Sequence, residues 1–174
     1  MEETKKTKAK KESSFEKDLG ENKNKIEHKP SHGSGKITVV IRIAGEVKVK
    51  PEVRETLDRL RLRRKYTCIL VKTHDKALMG MVDRVKYHVS YGEIEKDILE
   101  KLIRARAMSV KKEKINAGDI SDEIIKGKSL SDLGLKPFFR LHPPRGGIRS
   151  KIQYPKGVLG NNKQDINKLV ERML

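Results

Sequence analysis

A single cysteine, Cys68, stands among 174 residues, so no disulfide can form within the chain and no cysteine-cluster metal site can be built. That scarcity matches a reducing, intracellular compartment. Long apolar runs are missing too. Nothing approaches the ~20 apolar residues that a membrane-spanning helix requires. The charged N-terminus lacks the apolar core of a secretory signal. The expectation is a soluble, cytoplasmic protein.

Catalytic equipment is equally scarce. The five histidines, His28, His32, His74, His88 and His142, fall in no pattern that sets two ligands on one helix face. His28 and His32 are four apart, but Pro30 between them breaks a helix. "SHGSGKIT", 31–38, superficially resembles a phosphate loop. The motif needs glycine where Pro30 stands, Ser or Thr where Ile37 stands, and a strand before it rather than after it. Asp122 and Glu123 are read as acids in the first turn of a short helix over 121–126, where the helix dipole favours them. No nucleophile, cofactor loop or metal set emerges. The expectation is no catalysis, no cofactor, no metal and no small-molecule substrate.

Positive charge is what the chain has in abundance. Lys and Arg number 41 against 24 Asp and Glu, a formal charge of +17. Such a surplus opposes compaction by self-repulsion, and a polyanion relieves it. Residues 1–35 hold nine Lys and seven acids, net +2, which leaves +15 for 36–174 (17 minus 2). The basicity therefore sits in the part that can fold. The tail, rich in Lys, Glu, Ser, Asn and Gly, cannot bury enough surface to offset its ordering entropy, and is expected to be disordered when free.

Periodicity then predicts elements. In "KITVVIRIAG", Ile37, Val39, Ile41 and Ile43 share one face and Thr38, Val40 and Arg42 the other, a half-buried strand. Pro51 suits a first helical position, and Val53, Leu57 and Leu60 form the stripe of an amphipathic helix. "YTCILVKT", 66–73, is β-branched and apolar, hence a second strand with Cys68 as a small buried hydrophobe. Asp75 can cap a helix over 76–88 with Leu78, Met81, Val82 and Val85 inward. "VSYGEI", 89–94, predicts a third strand, and helices are expected over 95–107, 121–126 and 163–173. The division is a tail, 1–35, a β-α-β-α-β core, 36–94, and a helical and loop extension, 95–174.

Two basic segments stand out. "RLRLRRK" places Arg59, Arg61, Arg63, Arg64 and Lys65 within seven residues at the end of the first helix. A solvated helix end explains one or two cations there. Five exceed that need, and arginine's planar fork matches phosphate oxygens. Lys72 and Lys76 add charge near the second helix, and "RARAMSVKKEK", 104–114, is either a further contact or a solvated face. The second segment is "KPFFRLHPPRGGIRS", 136–150, with Pro143-Pro144 and Gly146-Gly147 too close together for a helix or central strand. One of Phe138 and Phe139 is expected to anchor it while the other stacks on an unpaired base. Gly146 and Gly147 would let backbone N–H groups approach phosphates. Lys136, Arg140, His142, Arg145, Arg149 and Lys151 complete the candidate RNA-binding set. Nucleic acid is expected to order this segment.

These pieces, in this order, resemble a known family. "ITVVIRIAG…KPEVRETLDRLRLRRKYTCILVKT" followed by "LMGMVDRVKYHVSYGEI" is similar to the large-subunit ribosomal protein L-thirty family. "KSLSDLGLKPFFRLHPPRGG" resembles its longer archaeal and eukaryotic branch, whose eukaryotic members are called L-seven. The resemblance covers roughly 36–174. It implies an α+β fold: a small three-stranded antiparallel sheet with two helices on one face, related to ferredoxin-like folds, plus a helical and irregular extension. It also implies a structural constituent of the large subunit, contacting large-subunit rRNA near 5S rRNA and neighbouring ribosomal proteins, with no membrane. The "FRLHPPRGG" loop and the turn at 61–65 would lie against rRNA. The tail departs from the pattern, being nearly neutral where eukaryotic members carry a long basic helix. The rivals are an RNA-acting enzyme and a DNA-binding architectural protein.

Overall fold

The computed structural model describes residues 36–110 and 116–174. The expectations for the tail, 1–35, and for the end of the 104–114 cluster, residues 111–114, lie outside the described residues. The elements are β1 (Ile37–Arg42), α1 (Pro51–Arg59), β2 (Thr67–Lys72), α2 (Lys76–Arg84), β3 (Val89–Glu93), α3 (Lys96–Arg106), α4 (Ala117–Ile125), β4 (Phe139–Arg140), β5 (Gly160–Asn161) and α5 (Ile166–Met173), the last preceded by a 3-10 turn at Lys163–Asp165.

The architecture is α+β. β1 lies at the centre of the sheet, antiparallel to β2 through pairs such as Ile41↔Cys68 and to β3 through pairs such as Arg42↔Val89. The sheet has five strands, ordered β4-β2-β1-β3-β5, where the resemblance implies three. β4 pairs antiparallel with β2, and β5 pairs parallel with β3. Each added strand is two residues long. A pair of residues carries no period, so nothing local announces it.

β1 is buried along its whole length rather than half-buried. On one face Val40, Ile69, Val71, Val89 and Tyr91 pack with Leu57 and Leu60 of the α1 end and with Val82 and Val85 at α2. On the other, Ile37, Val39, Ile41, Cys68 and Phe139 pack with Leu99 and Leu102 of α3, Ile124 of α4 and Ile166, Val170 and Met173 of α5. The implied pair of helices accounts for the first face, and the chain beyond residue 95 covers the second. Burial pushes the Cys68 thiol pKa up, so it packs as a small protonated hydrophobe.

Local signals explain the element ends. Pro51 opens α1. The Asp75 carboxylate accepts the Ala77 and Leu78 N–H groups at 3.1 and 3.2 Å, capping α2. α2 ends at Arg84, short of 88, and His88 N–H then bonds the Val85 carbonyl at 2.8 Å. α4 begins at Ala117, not at 121. Asp122 and Glu123 therefore lie past its first turn, and Asp122 pairs with Lys96 of α3 at 2.6 Å. Gly118, a poor helix former, hides that start in the sequence. Gly127, with φ +98°, follows the helix end as its left-handed stop.

Candidate nucleic-acid interface

The antiparallel register gathers three chain segments at one end of the sheet, where β1 finishes and β2 and β3 start. The first is the turn between α1 and β2. Leu60 and Leu62 are buried, 3% and 0% exposed, while Arg59, Arg61, Arg63, Arg64 and Lys65 are exposed. Leu62 N–H bonds the Leu57 carbonyl at 2.8 Å. Arg61 and Tyr66 both take φ near +60°, which bends the backbone sharply at each side of the arginine run. Alternating leucine and arginine thus become an anchored inner side and a cationic outer side.

The second segment is β4. Its pair Thr67↔Arg140 brings Phe138 and Arg140 beside the turn, although some 75 residues of chain separate them. Together they form one groove lined by Arg59, Arg61, Arg63, Arg64, Arg140, Phe138, Asp58 and Thr67. The Arg140 guanidinium lies 5.9 Å from the Phe138 ring centroid. Phe138 is half-buried, whereas Phe139 is 1% exposed and fills the core next to Cys68. Phe139 is therefore the anchor, and Phe138 is the ring at the groove.

The third segment is the Pro-Pro-Gly-Gly loop. Contrary to the expectation that nucleic acid alone would order it, its own chain holds it. Leu141 N–H bonds the Tyr66 carbonyl at 2.9 Å, His142 N–H the Met173 carbonyl at 3.0 Å, and Arg145 N–H the Arg172 carbonyl at 2.9 Å. The Arg172 guanidinium donates to the carbonyls of Arg145 at 2.7 Å and Gly147 at 2.9 Å. Gly146 and Gly147 have φ of +76° and +69°, a left-handed pair that only glycine adopts without strain. Gly147 gives its N–H to the Pro144 carbonyl at 2.9 Å. His142, Arg145, Arg149 and Lys151 stay exposed.

Among the described residues, intramolecular partners do not neutralise this end. Arg59 pairs with Glu55 at 2.6 Å and Arg63 with Asp58 at 3.9 Å, both solvent-exposed and hence weak. Among the described residues no carboxylate forms an ion pair with Arg61, Arg64 or Arg140. Two further predicted residues lie elsewhere. Lys72 pairs with Ile37 at the opposite end of the sheet and donates to the Gly127 carbonyl at 2.5 Å, and exposed Lys76 opens α2 nearby. Lys136 is exposed and precedes Phe138 by two residues.

Sequence reasoning missed two arginines. Arg172 belongs to α5, and its partners lie 25 and 27 residues away, which no local pattern marks. Alternation sets Arg42 on the face of β1 opposite Ile37, Val39 and Ile41, the open face of a half-buried strand, yet it is 2% exposed. A lone arginine inside a β-branched run was the available signal. Burial lowers its pKa from the ordinary value, opposed by the nearby Glu46 and Asp58 carboxylates. Burial, with the Arg42 charge, also lowers the His88 pKa.

Among the described residues no group of His, Cys, Asp and Glu is arranged to hold a metal ion, and no helix is long and apolar enough to cross a membrane.

Comparison with known proteins gives the family of this chain. Residues 39–89, from β1 through the arginine turn to the start of β3, match the family model for ribosomal protein L30p/L7e. The chain is also similar over most of its length to archaeal proteins named large ribosomal subunit protein uL30. With that of Ignicoccus hospitalis it shares 39% identity over 158 residues, 81% of this chain and 99% of the relative. The chain belongs to the uL30 family. Further uL30 relatives are those of Aeropyrum pernix, 36% identical over 78% of this chain and 97% of the relative, and of Archaeoglobus fulgidus, 37% identical over 77% and 97%. As expected of a uL30 chain, the core is β-α-β-α-β. The span matched by the family model includes the arginine turn. The Phe138–Lys151 segment lies beyond that span and reaches the same place through β4.

Proposed function

We propose that this uL30-family protein is a structural constituent of the cytoplasmic large ribosomal subunit, and that it binds large-subunit rRNA through the arginine groove and the adjoining loop. The observation that carries this reading is the convergence of Arg59, Arg61, Arg63, Arg64 and Arg140 with a half-buried ring, Phe138, in one groove. Guanidinium groups displace condensed counterions from phosphates, and the gain in their entropy drives association. Such contacts fix the register of an RNA on the protein without reading its sequence. The Phe138 face supplies a platform for an unpaired base. Arg140, His142, Arg145, Arg149 and Lys151 extend the contact along the loop, whose bend the Gly146-Gly147 turn sets, the Gly147 N–H being taken by the Pro144 carbonyl rather than offered to a phosphate. Lys65 and Lys136 flank it.

Lys72 and Lys76 stand at the far end of the sheet and would meet a separate stretch of RNA. The protein would then act as a spacer that holds two RNA segments at a set distance. 5S rRNA and neighbouring large-subunit proteins are the further partners that the family resemblance implies. The family is a structural one, and the chemistry assigned here is binding rather than turnover.

Equilibrium binding to a folded large-subunit rRNA fragment across a salt series tests the reading. Changing Arg63, Arg64, Arg145 or Arg149 singly to Ala should lower the salt slope by about one unit. Adding Lys76→Ala to Arg63→Ala should add its loss independently, because the two sites share no partner. Unchanged slopes for all four arginine variants would sink the assignment. Equal affinity for duplex DNA and rRNA at moderate salt would favour an architectural DNA-binding role.

A further inference from the structure

Arg42 ends β1 inside the protein, 2% exposed. Its guanidinium forms no ion pair among the described residues. It donates instead to four backbone carbonyls: from Nε to Ala44 at 3.1 Å, from Nη1 to Leu62 at 2.7 Å and Arg63 at 2.6 Å, and from Nη2 to Gly45 at 3.1 Å. The Arg42 carbonyl in turn accepts the Tyr66 N–H at 2.7 Å. Of the carboxylates that act on it from a distance, Glu46 pairs closely with Arg54 at 2.6 Å and Asp58 loosely with Arg63 at 3.9 Å.

These bonds are unusual in cost and in placement. A buried cation without an anionic partner loses its hydration and is tolerated only when hydrogen bonds replace it. An apolar residue of similar size would hold two core layers together with less penalty. What an apolar residue cannot do is grip carbonyls. The gripped carbonyls belong to two segments outside the helices and strands, the 43–50 loop and the 61–66 turn. The turn carries two left-handed residues, Arg61 and Tyr66, and repelling cations between them. Without an internal tether, that repulsion would open it.

We infer that Arg42 is the positioning residue of the arginine turn: a buried guanidinium that never meets RNA and sets the spacing of the arginines that do. The inference rests on the function proposed above. It treats the groove as pre-organised for phosphodiester oxygens, so that binding does not have to order the turn.

The full-length protein with Arg42→Lys or Arg42→Met tests it, with Arg63→Ala as the reference. Three quantities are read: far-ultraviolet circular dichroism, hydrogen exchange at the Leu62 and Tyr66 amides of the free protein, and the salt slope of rRNA-fragment binding. Lysine keeps the charge but cannot reach four carbonyls on two segments. The expected result for Arg42→Lys is an unchanged spectrum, faster exchange at both amides, and a slope reduced by about two units, against about one for Arg63→Ala. Arg42→Met should do at least as much. If Arg42→Lys restores slope and exchange to the native values, charge alone suffices and the positioning role is wrong. If Arg42→Met does not fold, the lysine variant decides by itself. Failure of the two claims is distinguishable. Arginine-to-alanine changes at 63 and 64 that leave the slope untouched refute the RNA interface, while a slope that responds to them but not to Arg42→Lys refutes only the tether.

Discussion

Phe138 and Phe139 are neighbours with opposite duties. Phe139 fills the core between β2 and the α3–α5 layer, so Phe139→Ala should cost about 3–5 kcal/mol of stability, measurable by denaturant unfolding. Phe138 lines the groove, and Phe138→Ala should leave the unfolding midpoint within about 1 kcal/mol, as expected away from the fully buried core. It should weaken rRNA binding by about 1–3 kcal/mol if the ring stacks on a base. A midpoint that falls equally for both variants would show that the two rings share the packing. Tyr91 offers a test of the α1–α2 face. Its hydroxyl donates to Asp83 at 3.0 Å, and burial followed by that bond pushes its pKa up to about 12. The folded state holds this proton more tightly than the unfolded chain does. The contribution is therefore full below the ordinary value of 10 and disappears as pH rises from there through about 12. Ultraviolet titration of the native protein should show one phenol ionising well after a freely exposed one.

Elements are linked here through close approach. Gly92 of β3 sits where an added Cβ would collide with the Lys163 carbonyl and press on Ile166. Gly92→Ala should push the 3-10 turn and α5 off the sheet, costing about 1–3 kcal/mol as over-packing does. The effect should reach the far end of α5, because Met173 and Arg172 hold residues 142–147. Trypsin should then cut at Arg145 and Arg149 faster than in the native protein. Arg172→Ala should accelerate the same cuts without displacing α5. Equal cleavage rates in all three proteins would mean that the loop holds its shape without the helix.

The charge surplus of the entire chain sets its response to salt. At +17, the free protein is opposed by its own field. Raising ionic strength from 0.01 to 0.1 M shortens the screening length from about 30 to about 10 Å. The free protein should therefore melt at a higher temperature as salt rises, while its rRNA complex loosens over the same range. A free-protein midpoint that falls with salt would mean that ion pairs such as Lys101–Glu171, 2.8 Å, outweigh the repulsion.

Much of this protein was legible along its chain. The alternation of 37–43, the stripe at Val53, Leu57 and Leu60, the Asp75 cap and the clustering of arginine at 59–64 each act within a few residues, where backbone geometry repeats. They foretold the β-α-β-α-β order and the basic turn. Which phenylalanine points inward, how the proline-glycine loop is held, that the sheet gains two edge strands, and that Arg42 grips the turn were settled only by folding. Those facts depend on partners 20 to 75 residues away in sequence, as Arg42 and Leu62 or Thr67 and Arg140 are. Periodicity reports which face of an element is apolar, and packing alone determines what meets that face.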